Sequence, residues 1–208
     1  HLDVDRSVAD SADIFRTRFE AEKWVGDVIR EKLTEEKTGL NYVRQWSAAE
    51  RLAGRTNRNI LYAGTNTKEL RPFTYAGIVS QPDDAAWLAA LNVNPLATST
   101  SDGKAEQRIS FLRGESETLR VRKKLTNGQP IVLGDIVNSS PLRVSGAMYR
   151  GSAADALEGT DSNYAAFVQG QMDKDVPPMI YVGANDGMLH AFNANTGDEV
   201  FAFIPTAL

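Results

Sequence analysis

Apolar and polar positions near the end of the chain follow a short, repeated pattern. Three runs rich in β-branched and aromatic residues are separated by two turns that contain glycine and asparagine. The runs are Met179–Val182, Met188–Phe192 and Val200–Ile204, and the turns are 183–187 and 193–197. Glycine supplies the positive φ that tight turns require, and Pro205 ends the third run. The pattern predicts three consecutive antiparallel strands.

A weaker copy of the same order opens the chain. Ile14–Phe19 alternates apolar and polar residues with strand period, and Trp24–Leu33 and Tyr42–Trp46 predict two further strands. Because both ends of the chain repeat the order strand, turn, strand, turn, strand, we predict blade-like units at about 12–65 and 130–208.

Helical spacing replaces strand spacing from about residue 80. Two short helices are predicted, the first after an acidic pair that can cap it and the second before a glycine that can end it. The residues are Asp83-Asp84 followed by Trp87, Leu88 and Leu91, then Ala105, Ile109 and Leu112 followed by Gly114. We therefore predict a helical and loop insertion at about 80–130.

Shorter segments complete the predicted element order. Ser47–Leu52 predicts a helical turn and Arg58–Tyr62 a strand. Residues 131–133 predict the start of further strand structure, and a helix is predicted at about 163–171.

The chain length does not suit a closed propeller. A blade takes about 40 to 50 residues and a closed ring needs at least about four blades. The 208 residues include long insertions between the predicted strands, and the first residue is His1 rather than methionine. We therefore predict a mainly β fold, an incomplete or modified β-propeller with inserted short helices, in a processed protein or a fragment of a longer one.

Composition excludes several classes of chemistry. Cysteine is absent, so neither disulfides nor thiolate nucleophiles or thiolate metal ligands are available. No apolar run reaches the roughly 18 residues that predict a membrane span. No glycine is followed by the Lys-Ser/Thr pair of a phosphate loop. These observations favour a globular domain without a membrane span.

Charge is unevenly distributed around a net value of −4. Residues 151–208 carry eight acidic side chains and one basic one, whereas Arg108–Lys124 carries six bases and two acids. Such a basic stretch can attract a polyanion, although it is also typical of a solvated surface with some internal ion pairs. Aromatic residues do not interleave it as single-stranded nucleic acid would require, so we predict no specific nucleic-acid binding.

Several separated motifs together are typical of one family. They are Phe19 with Trp24-x-Gly26-Asp27, Trp46-x-Ala48 with Arg58-x-Ile60, Phe111–Gly114, Arg120-x-Arg122, Leu133–Pro141 and Tyr181–Phe192. With these motifs the chain resembles the PilC/PilY family of proteins associated with type IV pilus biogenesis and the pilus tip. The resemblance implies the start of a C-terminal β-propeller in an exported, non-enzymatic protein at the cell surface or pilus tip, outer-membrane-associated or periplasmic. It implies roles in pilus assembly, counteracting retraction, adhesion and twitching motility, with minor pilins, the pilus fibre and host or abiotic surfaces as partners.

The family also carries a calcium loop, which the resemblance places beyond Leu208. Within this chain, Asp3-x-Asp5-x-Ser7 lacks the turn glycine and the later acid of a calcium loop, and Asp173-x-Asp175 is followed by two prolines. We interpret both as solvated segments and predict no metal or cofactor in this chain. The motif Arg-Gly-Asp is absent, so an integrin-type adhesion motif is not expected.

Two alternatives remain open. One is a quinoprotein dehydrogenase with a pyrroloquinoline quinone (PQQ) cofactor, because one segment resembles the blade signature of that class, with Asn for Asp and Phe for Trp. The segment is Ala191-x-Asn193-x-x-Thr196-Gly197-x-x-x-Phe201. The other is a polyanion-binding surface domain that uses the basic stretch. We expect neither, and predict no catalytic, cofactor-binding or metal-binding residues.

Residues that could carry chemistry each have a structural interpretation that we prefer. His190 is expected to be a packed or hydrogen-bonded strand residue, Asn185-Asp186-Gly187 a hairpin turn, and Gly134-Asp135 a bend whose carboxylate caps backbone amides. The tryptophans are expected to pack in the core. They are Trp24, Trp46 and Trp87.

Overall fold

A computed structural model describes residues 13–20, 25–36, 39–67, 69–145, 167, 170, 174 and 176–205. The first strands and helices are β1 (Asp13–Glu20), β2 (Val25–Glu36), β3 (Gly39–Ser47), α1 (Ala48–Leu52), β4 (Ile60–Ala63), β5 (Leu70–Pro72) and α2 (Tyr75–Val79). After a 3-10 helix (Pro82–Asp84) come α3 (Ala85–Leu91), β6 (Val93–Asn94), β7 (Ala97–Ser101) and α4 (Ala105–Leu112). The last strands are β8 (Leu142–Val144), β9 (Met179–Gly183), β10 (Leu189–Asn193) and β11 (Glu199–Ile204). Of the predicted helix at 163–171, only residues 167 and 170 are described, and both are helical. None of the described helices is long and apolar enough to span a membrane.

The first sheet is an antiparallel meander of β1, β2 and β3. It confirms the three strands predicted at the start of the chain. The register of β2 against β3 shifts between Arg30 and Glu31, which increases the local twist. Strand β3 leads directly into the predicted helical turn, where the Ser47 hydroxyl accepts a hydrogen bond from the Glu50 amide and begins α1.

The second sheet has the strand order β5-β4-β11-β10-β9-β8. Strands β8 to β11 form a four-stranded antiparallel unit, and its tight turns contain Gly187 at φ 84° and Gly197 at φ 76°. The three strands predicted from residue 179 onward are therefore confirmed. Strand β4 adds to β11 in parallel, with Ile60 opposite Ala202. Although β4 lies within the first predicted unit at 12–65, it belongs to the second sheet.

The two sheets share one buried core. Trp46 contacts Phe15 with ring centroids 5.9 Å apart, and its indole Nε1 donates to the carbonyl of Ala194 at 3.0 Å across the sheets. The other large apolar members come from both sheets and from the segment before β8. They are Val28, Leu52, Leu133, Ile136, Ile180, Val182 and Phe192. Burial of this apolar surface holds the two sheets together.

A second core lies between the helical insertion and the β4 side of the second sheet. Tyr62, Phe73 and Trp87 meet edge to face, with centroids 5.2 to 6.2 Å apart. Ile109 of α4 and Ile78 of α2 are buried in the same cluster. The helical face predicted to be apolar is therefore the face that packs against the sheet.

Asp84 has a different role from the predicted helix cap. Its side chain makes no capping hydrogen bond to α3. It accepts instead from the Tyr62 hydroxyl at 2.6 Å, the Thr65 amide at 2.8 Å and Arg71 Nη1 at 2.6 Å. Burial opposes its ionisation, but these hydrogen bonds hold the pKa of Asp84 at about 2. Asp84 therefore binds residues from other segments of the chain and does not cap the helix that follows it.

The segment Ile131-Val132-Leu133 is buried, but it is not a strand as predicted. Two of its carbonyls, those of Ile131 and Val132, accept from Arg122 Nη1 at 3.3 Å rather than from a neighbouring strand. The apolar run was correctly assigned to the core. The prediction of a strand was wrong, because Arg122 occupies these two carbonyls and the backbone pairing here is limited to the Ile131 amide, which donates to the Lys123 carbonyl at 2.8 Å, beside an isolated bridge between Lys124 and Pro130.

Candidate functional site

Four ionisable side chains from distant parts of the chain form one buried network. Arg58 precedes β4, Asp186 lies in the turn between β9 and β10, His190 lies in β10, and Glu199 begins β11. The side chains of Arg58 and Glu199 are each 1% exposed and that of His190 is 0% exposed. We call these four residues the ionic network.

Glu199 is the central carboxylate of the ionic network. Arg58 donates to it through two nitrogens, Nε to Oε2 at 2.7 Å and Nη2 to Oε1 at 2.8 Å. Its Oε1 also lies 2.8 Å from His190 Nδ1. A bidentate contact of this kind compensates buried charge better than a single hydrogen bond does. The arrangement fixes the start of β11 against the residue that precedes β4.

Asp186 completes the network on the other side of the imidazole. Its two oxygens lie 3.1 and 3.2 Å from His190 Nε2, so both ring nitrogens face a carboxylate. The same carboxylate accepts from the amides of Met188 at 3.1 Å and Gly134 at 3.0 Å. Asp186 therefore stabilises its own turn and also attaches the 134–136 segment to it.

The charges in the network stabilise one another. Burial disfavours the imidazolium, but Asp186 and Glu199 outweigh it and raise the pKa of His190 to about 9. Burial also opposes ionisation of Glu199, yet hydrogen bonds from Arg58 and His190 lower its pKa to about 2. The pKa of Asp186 is lowered as well, against the effect of burial, mainly by its charge interaction with His190. Near neutral pH the network holds two positive and two negative charges.

We expect His190 to titrate far above an ordinary histidine. An NMR pH titration should show the imidazole of His190 changing protonation near pH 9, well above the roughly 6.5 of an unperturbed histidine. Since the folded pKa exceeds the unfolded one, the associated stability is present below about pH 6.5 and is lost as the pH rises through 9. The loss is on the order of 3 kcal/mol. Titration of His190 near neutrality would contradict the network.

The contacts of the ionic network are those of a structural element of the fold. His190 has both nitrogens engaged by carboxylates and stacks on Phe192 with ring centroids 5.7 Å apart. Arg58 Nη1 donates to the carbonyl of Leu112 at 3.2 Å, which ties the end of α4 to the sheet. These contacts agree with the interpretation of His190 as a hydrogen-bonded strand residue and of Asp186 as a turn residue.

Asp135 does not cap backbone amides as predicted. Its carboxylate accepts from Asn185 Nδ2 at 2.7 Å, while its carbonyl accepts from the Asn185 amide at 2.9 Å. The amide-capping role belongs to Asp186. The 134–135 and 185–186 segments are thus joined by two hydrogen bonds between Asn185 and Asp135 and one between the Gly134 amide and Asp186.

Two further motif residues have a clear physical role at the sheet junction. The Asp27 carboxylate accepts from Ser47 Oγ at 2.6 Å and from the Ala49 amide at 2.9 Å, so it holds the start of α1; burial raises its pKa. Gly26 lies so close to the 134–136 segment that an added Cβ would be 2.3 Å from the Gly134 carbonyl oxygen. Trp46 and Trp87 are buried as expected, whereas Trp24 lies outside the described residues.

Metal ligands are not grouped in the part of the chain that the structure describes, where no three His, Asp or Glu residues are placed to share an ion. Asp3-x-Asp5 and Asp173-x-Asp175 fall outside it. Glu199 was not predicted from the sequence as a site residue, and Arg58 was recognised only as part of a motif. For both residues, the sequence signal was a charged side chain next to an apolar run that predicts a strand.

Comparison with known proteins places these features in a family. Residues 133–208 match the model of the PilY1 beta-propeller domain. Type IV pilus biogenesis factor PilY1 of Pseudomonas aeruginosa strain UCBPP-PA14 is 39% identical over 198 residues, and that of strain PAK is 36% identical over 204. Each match covers 93% of this chain. The chain belongs to the PilC/PilY family.

The matched part is a small portion of the PilC/PilY proteins. The chain spans 16% of the length of the two Pseudomonas relatives. A PilY1 homolog of Xylella fastidiosa is 49% identical over 102 residues, which cover 49% of this chain and 8% of that protein. No solved structure matches the chain. The relatives are named as biogenesis factors and not as enzymes. The predicted mainly β fold with propeller blades and inserted helices is confirmed, and no sheet closes on itself in the described residues.

Proposed function

We propose that this chain is a non-enzymatic scaffold within a type IV pilus biogenesis factor. The observation that carries the proposal is similarity along 93% of the chain to proteins with that name. The protein would support pilus assembly and counteract retraction, and would thereby contribute to adhesion and twitching motility. In this proposal it is exported and acts at the cell surface or pilus tip, outer-membrane-associated or in the periplasm.

The described residues support a scaffold role. Two sheets share a core, the helical insertion packs on the second sheet, and the ionic network joins β4, α4, β10 and β11. Buried charge pairs of this kind are costly to separate, because each partner leaves an uncompensated charge behind. Such a scaffold suits a protein that positions binding loops and resists displacement.

Partner contacts are proposed for the insertions, because loops on a rigid scaffold usually carry recognition. Minor pilins and the pilus fibre are the proposed partners, with host or abiotic surfaces contacted by the whole protein. Within the insertion at 80–130, the β6–β7 hairpin presents Leu96 with 94% of its surface exposed. The other insertion, at 145–176, lies mostly outside the described residues. A calcium site remains a proposal for the region beyond Leu208.

Deleting the gene in its native bacterium tests the function. We expect deletion to reduce the number of surface pili seen by electron microscopy, and to abolish twitching zones on agar. Because the proposed role includes counteracting retraction, removal of the retraction motor in the same strain should restore surface pili without restoring twitching. Pilus numbers that are unchanged by the deletion would refute the proposal. Pili that stay absent without the motor would refute the retraction component alone.

A further inference from the structure

The basic stretch does not form one continuous charged face. Arg108 makes a bidentate contact with Asp102, with N–O distances of 2.7 and 2.6 Å. Arg113 donates to Glu115 at 2.6 Å and to the carbonyl of Phe73 at 3.0 Å. A long polyanion requires several cations free along one surface. These two bases are already paired with carboxylates, and a third, Lys124, lies 4.0 Å from Glu117.

Three other bases converge on a single cavity. Arg120, Arg122 and Lys123 line a cavity of about 310 Å³ beside the 131–135 segment. Arg120 and Lys123 are exposed, and neither makes an ion pair within the described residues. Their charges are therefore available to a ligand that enters the cavity.

Arg122 is half-buried and has no carboxylate partner there. Its Nη1 donates to the carbonyls of Ile131 and Val132 at 3.3 Å, and its Nη2 donates to the carbonyl of Phe111, above whose ring the guanidinium lies. Its Nε is buried without a hydrogen-bond partner. Burial and the nearby charge of Arg58 lower the pKa of Arg122. A guanidinium in this position would gain stability from an anion.

The other residues that line the cavity leave it with an excess of positive charge and a partly apolar wall. Asp186 contributes to the wall, but its charge is matched by His190 in the ionic network. Asp135 is the other lining acid, and it accepts from Asn185. The three cations thus face one acid that has no cationic partner. Phe111, Leu112, Val132 and Leu133 supply apolar surface.

We propose that this cavity binds one carboxylate group carried on a small apolar body. Arginine and lysine pair well with carboxylates, and the apolar wall suits aliphatic atoms next to that group. The volume is at the lower end of the roughly 300 to 1,000 Å³ typical of ligand sites, so it accepts a short segment and not a polymer. The carboxylate comes either from a polypeptide, as a chain end or acidic side chain, or from a free organic acid. The site does not depend on the proposed pilus role.

Calorimetric titration of the full-length protein tests the carboxylate site. The probes are acetyl-Leu-Ala, its C-terminal amide, and succinate. We expect acetyl-Leu-Ala to bind at least about tenfold more tightly than the amide, because the amide lacks the charge that the cations recognise. Binding of acetyl-Leu-Ala alone identifies a polypeptide carboxylate as the ligand source. Competition by succinate at a similar concentration identifies a free organic acid.

A matched pair of variants separates the site from overall charge. R120Q/K123Q removes two exposed cations that line the cavity, and it should weaken the affinity for acetyl-Leu-Ala at least about tenfold. K32Q/K104Q removes two exposed cations that do not line the cavity, and should leave the affinity unchanged. Four results would each overturn the proposal. They are equal affinity for acetyl-Leu-Ala and its amide, an equal loss of affinity in both variants, unchanged affinity in R120Q/K123Q, and no binding of either acid probe. Equal urea unfolding midpoints for the two variants keep the comparison valid.

Discussion

Glu199→Gln is expected to lower the free energy of unfolding by about 3 to 5 kcal/mol, because it leaves the buried Arg58 charge without its bidentate partner. Glutamine preserves the side-chain volume, so the loss reflects charge and hydrogen bonding rather than a cavity. The same substitution removes one of the two carboxylates that hold the His190 proton, so the pKa of His190 should fall. Urea unfolding and an NMR titration of His190 measure the two effects independently.

Glu50→Gln is the matched control for that substitution. Glu50 also pairs with an arginine, Arg44, at 2.9 Å, but the two side chains are 47% and 53% exposed. An exposed pair contributes about 0 to 1 kcal/mol, so the control should unfold almost as the unmodified protein does. If Glu199→Gln costs no more than Glu50→Gln, the ionic network does not stabilise the fold.

Gly26→Ala is expected to destabilise the protein by about 3 kcal/mol, because its methyl group has no space at the sheet junction. The added Cβ would be 2.3 Å from the Gly134 oxygen, 2.7 Å from the Ile136 nitrogen and 2.8 Å from the Asp135 Cα. All three are backbone atoms, so no side chain can rotate away. Relief would require the 134–136 segment to move off the first sheet, and equilibrium unfolding in urea measures the cost.

Gly183→Ala tests whether any glycine in a sheet would behave in the same way. A Cβ at Gly183 would approach Ser139 Oγ no closer than 3.6 Å, an ordinary van der Waals contact. We expect its effect to stay within about 1 kcal/mol, since alanine also reduces the entropy of the unfolded chain. Comparable losses for Gly26→Ala and Gly183→Ala would show that the junction is not tightly packed.

Features that depend on neighbouring residues could be predicted from sequence. The hairpins around Gly187 and Gly197 follow from turn chemistry, and both glycines have the positive φ that such turns require. The helix at Ala105–Leu112 follows from apolar spacing and the glycine after it. In each case the signal and the structure that it produces lie within a few residues of one another.

Features that depend on distant partners could not be predicted in the same way. Arg58 and Glu199 are 141 positions apart, and no local pattern requires them to meet. The parallel pairing of β4 with β11 has the same origin, because strand propensity does not specify the neighbouring strand. Asp84 shows the competition directly: its spacing suits a helix cap, but Tyr62 and Arg71 bind its carboxylate instead. The sequence shows the six bases only as one charged stretch. The fold separates the three that line the cavity from the three that are paired with carboxylates.

The number of surface pili per cell tests the central claim, that pilus biogenesis depends on this folded scaffold, most directly. The gene in the native bacterium is replaced by alleles encoding Gly26→Ala or Gly183→Ala, and pili are counted by electron microscopy with the protein level measured in parallel. We predict that Gly26→Ala reduces pili toward the number in the deletion strain, and that Gly183→Ala keeps the normal number. Normal piliation in the deletion strain would contradict this claim. So would normal piliation in a strain whose Gly26→Ala protein is shown to be unfolded.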